Sequence, residues 1–351
     1  MAAVPRKWGI LATGGIARKF ATAVAGADGS DCIVAVASRD VERARAFAAE
    51  FRAEARAYGS YEELLADTEV EFVYIATPHT QHCSLIEAAA GAGKHILCEK
   101  PLCVNSAEGE RAVEACRRAG VALVENYMYR FNPQTQRLVE IVKSGTLGTI
   151  HRLSTAFSFK CPADRDRLWN PDLAGGGILD VGCYPVSIAR LVAGAIDGCA
   201  CSEPVDVQGS GTLTEQGVDS SAACLMRFAN GLIADCHCSL QYQGVNDLRL
   251  WGSSGNLTVT WPWQPSRGGD AAVVRWHDAS GEEHCEKHGL EAQPMLLAAA
   301  ATGEAAKSGG SHPAMSMEDM LGQLRALDAW RRKVGVSYKV AGEEAEGGPS
   351  S

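Results

Sequence analysis

The chain has 351 residues, 46% apolar and 21% charged, and a formal net charge of 33 − 42 = −9. That length favours two domains or one large α/β unit, and the composition excludes a disordered chain. An acidic chain without a basic run is a poor partner for nucleic acid or an anionic membrane, so an anionic ligand would need a local cationic pocket.

The first 126 residues alternate β-branched runs with amphipathic stretches, a βαβ rhythm. Strands are expected at Trp8–Ala12, Cys32–Ser38, Glu71–Thr77, Lys94–Glu99 and Val121–Glu125. Helices are expected at Ile16–Ala25, at Val41–Glu54 with Asp40 as N-cap, from Ser60 with capping-box spacing, and from near Thr80 and Ser106. This half predicts a doubly wound parallel sheet that gathers ligands at the carboxyl ends of its strands.

Beyond residue 130 the pattern changes. A helix over Pro133–Lys143 precedes a strand at His151–Lys160, and a glycine-rich segment leads into a helix over Ile178–Ala193. Strand-like runs then crowd together at Val205–Thr214, Ser220–Phe228, Leu232–Leu240, Asp247–Trp251, Leu257–Trp261 and Ala272–Trp276, before a last helix at Ser316–Arg332. Runs of strands after a βαβ half predict a second α+β domain with a largely antiparallel, open-faced sheet. The expected division is 1–128, 129–341 and a disordered Gly/Glu/Ser-rich tail over 342–351.

Thirteen cysteines scatter from Cys32 to Cys285 with no signal peptide before them, which reads as a reducing, cytoplasmic setting. Cys236-His237-Cys238 is the best metal candidate, but strand alternation turns His237 away from both thiols, so no metal site is expected. No apolar run reaches the ~18 residues of a membrane span.

Four strand ends carry the first candidate site. Ala12, Gly14 and Ala17 occupy the small-residue positions of a degenerate dinucleotide fingerprint; Gly14 and Gly15 let backbone approach a pyrophosphate, and the helix entering at Ile16 aims its free N–H groups there. The alternative is a plain structural turn. After the second strand stands Ser38-Arg39, where an NAD enzyme would carry Asp or Glu; hydroxyl plus guanidinium suits a 2′-phosphate and favours NADP over NAD. Otherwise Arg39 is a solvated residue beside the cap Asp40. Thr77-Pro78-His79-Thr80-Gln81-His82 and Glu99-Lys100-Pro101 follow the next two inner strands and converge on the same crevice. In the second half, Gly175-Gly176-Gly177 precedes Asp180 and Tyr184, four apart on one helical face, facing either a substrate or water. A tyrosine hydroxyl beside an ammonium group is drawn down from about 10 and becomes usable for proton transfer.

GILATGGIA, TPHTQH, CEKP, ENYMYRFNPQ, GTLG and RLWNPDLAGGGILDVGCYP, in this order, resemble the Gfo/Idh/MocA oxidoreductases over nearly the whole chain. Tyr184 and Ser38-Arg39 resemble the branch holding dimeric dihydrodiol dehydrogenase and NADP-dependent D-xylose 1-dehydrogenase. The resemblance implies a dehydrogenase in which Lys100 orients the substrate hydroxyl and lowers its pKa, Tyr184 is the acid/base and Asp180 contacts substrate. It further implies that Gly14, Ile16, Arg39, Thr77, His82 and Glu99 line the dinucleotide, that Arg130 and Trp169 lie near the cleft, and that a homodimer forms through the second sheet. The expected substrate is a sugar or vicinal diol. A sugar-derived carbonyl reductase and a non-catalytic NADP-binding regulator are the alternatives.

Overall fold

The computed structural model describes residues 5–27, 29–51, 54–164, 166–264, 272–288, 294–308 and 314–338, and the expected disordered tail lies outside them. Two compact units emerge: one formed by 1–103, 109–131 and 293–321, the other by 104–108, 132–292 and 322–351.

In chain order the first unit holds β1 (Arg6–Leu11), α1 (Gly15–Ala25), β2 (Asp31–Ala37), α2 (Val41–Glu50), β3 (Arg56–Tyr58), α3 (Tyr61–Leu65), β4 (Phe72–Ile75), α4 (His82–Gly91), β5 (His95–Glu99), most of α5 (Ser106–Ala119) and β6 (Leu123–Asn126). The six strands pair in parallel in the order β3-β2-β1-β4-β5-β6, the doubly wound order of a dinucleotide-binding sheet. Local chemistry sets the boundaries. The Asp40 side chain accepts the Glu42 N–H, and Ser60 accepts the Glu63 N–H while the Glu63 carboxylate reaches back to the Gly59 amide. Trp8, Phe20, Phe72 and Tyr74 build the core on one sheet face, with Phe20 stacked on Tyr74 at 4.3 Å. The Trp8 indole donates to the buried Asp31 carboxylate, which Arg6 also grips with two hydrogen bonds of 2.7 Å.

The second unit follows with α6 (Pro133–Ser144), β7 (Ile150–Ser158), the short α7 (Asp166–Trp169), a π-helical segment at Ile178–Gly182, and α8 (Cys183–Asp197). Then come β8 (Pro204–Leu213), β9 (Asp219–Phe228), β10 (Ile233–Ser239), β11 (Asp247–Gly252), β12 (Asn256–Thr260), β13 (Ala272–His277) and β14 (Glu283–His288). Their sheet runs β14-β13-β12-β11-β7-β10-β9-β8, antiparallel at every pair except β7–β10. Its covered face carries Cys224, Met226, Cys236, Cys238, Leu248, Leu250 and Val259; the opposite face exposes Val205, Leu225, Ile233 and Trp251. Residues 171–197 are apolar enough to cross a membrane, contrary to the expectation that no run is, but they are almost wholly buried, as in the core helix of a soluble fold.

Two helices close the chain, α9 (Pro294–Ser308) and α10 (Met317–Val334). The single cut expected at 128/129 misses the return of α9 to the first unit. There Met295, Ala298, Ala299 and Ala301 pack into the core with Phe20, Tyr74 and Leu97, because small side chains let this helix approach the sheet closely. Ala299→Asp therefore places an unpaired charge in that core and should cost about 3–5 kcal/mol, read as a lowered urea midpoint.

Candidate active site in two halves

The first half-site lies at the carboxyl ends of β1, β2, β4, β5 and β6. Between β1 and α1 the chain passes Ala12 at φ +82, then Gly14, whose backbone is the N-cap of α1 and makes no side-chain cap bond. A Cβ at Gly14 or Gly15 would meet nothing within 4 Å, so no described residue crowds the backbone at the α1 N-terminus, with Ile16 half-buried beside it. The degenerate first fingerprint position is thus an alanine in the left-handed region, where glycine carries no penalty.

After β2, Ser38 is buried, its N–H held by the Tyr58 carbonyl at 3.2 Å, while Arg39 is exposed. Arg39 lines a cleft with Gly59, Ser60, Tyr61 and Glu62. Arg43, one turn along α2, joins Arg39 in bearing on Tyr61; burial raises the Tyr61 phenol and both guanidinium groups oppose that rise. Arg43 and the Ser60-Tyr61 wall were not found from sequence. The i, i+4 spacing of Arg39 and Arg43 was the available signal.

Thr77 and Pro78 follow β4, and the Thr77 hydroxyl is buried without a hydrogen-bond partner among the described residues. His82 is buried, with Nδ1 at 2.9 Å from the Pro101 carbonyl and Nε2 at 3.0 Å from the Thr77 carbonyl, so its ring ties the loop after β4 to the loop after β5. Burial lowers its pKa. His82, expected along the dinucleotide, braces the loop after β4 against the loop after β5. At the end of β5, Glu99 accepts from the Tyr74 hydroxyl at 2.5 Å and the Asn126 amide at 2.7 Å. Burial raises its carboxyl pKa, while those donors and the Lys100 ammonium pull against the rise. Lys100 follows, half-buried, before a cis peptide to Pro101. Asn126, at the end of β6, keeps a buried carbonyl oxygen without a partner among the described residues. Its position at a fifth strand end was the available signal.

Arg130 is 5% exposed and ion-paired at 2.7 Å with Asp319, which commits its guanidinium to the interior of the first unit.

The second half-site is built on the glycine run. Asp180 sits in the π-helical segment and takes an ion pair from Arg167 at 2.9 Å. Tyr184, in the first turn of α8, is 7% exposed and wedged against Phe157 (5.2 Å) and Trp263 (5.6 Å), whose indole donates to the Ala156 carbonyl. Its rigid aromatic walls fix the phenol ring. Trp169 is half-buried and donates to the Pro162 carbonyl at 3.1 Å. Strand alternation along β10 buries Cys236 and Cys238 on one face and turns His237 to the other, beside Tyr242 at 3.0 Å; burial raises both thiols.

The Gfo/Idh/MocA description "oxidoreductase family, NAD-binding Rossmann fold" matches residues 6–127, and the corresponding C-terminal domain matches 135–258. The chain is 36% identical to mouse trans-1,2-dihydrobenzene-1,2-diol dehydrogenase, covering 74% of this chain and 76% of that one. It is 40% identical to a D-xylose 1-dehydrogenase (NADP(+)) of Haloferax volcanii, covering 71% and 74%. Among solved structures, a 3-ketoreductase from Actinomadura kijaniata in complex with NADP and TDP-benzene superposes with a TM-score of 0.81 at 26% identity, over 94% of this chain and 98% of that one.

The left-handed alanine yields a direct test. Ala12→Gly should raise unfolding free energy by about 1 kcal/mol, the cost of a non-glycine residue in that region, read by urea denaturation. Open turn, fingerprint position, strand order and both matched domains agree, and the chain belongs to the Gfo/Idh/MocA oxidoreductase family.

Proposed function

We propose that this protein is an NADP-dependent dehydrogenase that oxidises a hydroxyl-bearing carbon of a sugar, such as C1 of an aldose like D-xylose, or of a trans-dihydrodiol. The observation carrying the cofactor half of this reading is the pairing of an uncrowded α1 N-terminus with a cleft that Arg39 lines beside Ser60, Tyr61 and Glu62, with Arg43 also bearing on Tyr61, at the strand end where an NAD enzyme would carry an acidic residue. Gly14, Gly15 and Ile16 would hold the pyrophosphate, Ser38 and Arg39 the phosphorylated ribose, and Thr77, Pro78 and Glu99 the nicotinamide end. The buried, unpartnered atoms of Thr77 and Asn126 fit a polar ligand there. The bound nicotinamide supplies a hydride acceptor at C4.

The chain's own task is to place the carbon and move the proton. Lys100 holds the reacting hydroxyl and favours its alkoxide; Tyr184, its ring fixed by Phe157 and Trp263, takes the hydroxyl proton as the phenolate and becomes the phenol; and Asp180, aligned by Arg167, holds a neighbouring hydroxyl. The exposed apolar stripe of Val205, Leu225, Ile233 and Trp251 supports a homodimer through the second sheet, and the thirteen free thiols support a cytoplasmic setting.

A panel of aldoses and trans-diols with NADP, followed by NADPH absorbance, tests the reaction. Lys100→Ala and Tyr184→Phe should each lower kcat by about 10²- to 10⁴-fold with NADPH affinity unchanged; normal turnover in Lys100→Ala would overturn the assignment. Arg39→Ala should weaken NADPH binding by about 10- to 100-fold, the loss of a charge-assisted phosphate contact, and leave NADH binding unchanged in a fluorescence titration.

A further inference from the structure

One buried acid takes no part in that chemistry. Asp219, the first residue of β9, has no solvent exposure, yet its carboxylate lies within the second unit against the glycine run that precedes Asp180 and Tyr184. Its Oδ2 accepts the Ile178 N–H at 2.7 Å, and the amides of Gly177 and of Asp219 itself face the same group. Ile178 opens the π-helical segment that carries Asp180 and runs into α8 with Tyr184. The carboxylate therefore satisfies the unpaired donors at the start of that helix and complements its positive end.

The packing is specific to this arrangement. Gly176 stands at φ +113, and a Cβ there would sit 2.3 Å from Asp219 Oδ1; a Cβ at Gly177 would sit 3.1 Å from Oδ2. Gly176 is thus required by the acid as well as by its positive φ, while Gly177 packs tightly against the same carboxylate. Oδ1 has no hydrogen-bond partner among the described residues. Burial pushes the carboxyl up to about 6, against the facing amides and the Arg331 guanidinium, and Cys238 is the titratable neighbour on β10. At pH 7 to 8 the group is ionised, a destabilising state for a buried acid with an unsatisfied oxygen.

We propose that Asp219 is a positioning residue for the reaction: anchoring the amides of Gly177 and Ile178, it fixes where Asp180 and Tyr184 stand. This rests on the assignment of Tyr184 and Asp180 above. A tyrosine displaced by about 1 Å loses about 100-fold in rate, while the first unit, which would hold the dinucleotide, is untouched.

The test compares Asp219→Ala and Asp219→Asn in the full chain. Ala removes the acceptor; Asn keeps one carbonyl oxygen for Ile178 but turns an NH₂ toward the remaining donors. The expected result is a kcat loss of about 100-fold for Ala and about 10-fold for Asn, with the NADPH dissociation constant within twofold of wild type in both. Wild-type kcat in a folded Ala variant overturns the proposal, as does a loss of NADPH affinity equal to the loss in kcat. If Ala does not fold, wild-type kcat in Asn overturns it. Amide hydrogen exchange over residues 175–184 reads the anchor without any substrate. Faster exchange at Gly177 and Ile178 in the Ala variant and at Gly177 in the Asn variant, with the rest of the chain unchanged, is expected even if no sugar or diol is turned over; unchanged exchange at both amides in a folded Ala variant, or at Gly177 in Asn if Ala does not fold, overturns the anchor itself.

Discussion

An all-parallel sheet leaves no freedom about where its strands end. With β1, β2, β4, β5 and β6 running the same way, their carboxyl ends fall on one edge of the first unit, and whatever residue follows each strand is delivered there. This is why Gly14, Arg39, Thr77, Lys100 and Asn126, scattered over more than a hundred positions, form one half-site. Moving the same side chains to strand starts would put them on the opposite edge, with no change in composition.

The first half-site is held by buried polar groups that tie neighbouring elements together. Glu99 joins β5 to Tyr74 of β4 and Asn126 of β6, and His82 bridges the carbonyls of Thr77 and Pro101. Such groups weaken the fold if left unpaired and strengthen specificity when satisfied, so they concentrate where geometry matters more than stability. The second unit uses aromatic packing for the same purpose, with Phe157 and Trp263 confining the Tyr184 ring. Ala12 at positive φ is strain of a different kind, kept at the turn between β1 and α1.

Much of this was legible because it is local. Periodicity found β1, α1, β2, α4 and β5 within a few residues, and the caps Asp40 and Ser60 act as their spacing predicts. What escaped depends on distant partners or weak patterns. β3 has only three residues, and β14 (EHCEKH) reads as a polar loop because an edge strand carries charge. α9 is rich in alanine and has no sharp apolar stripe, so neither its existence nor its return to the first unit was visible. The helix expected from Ile178 does begin there, but as a π-turn, and the Asp219 carboxylate that accepts its first amide lies 41 residues away.

The central claim is direct hydride transfer between a carbinol carbon and the dinucleotide held at the sheet edge. It is tested most directly by incubating the protein and NADP with 1-deuterated D-xylose, and in parallel with a trans-dihydrodiol deuterated at its carbinol carbons, then locating the label by NMR. Deuterium at C4 of the recovered NADPH with one of these donors is the predicted result. NADPH formed without label at C4, or no NADPH with either donor, would contradict the account.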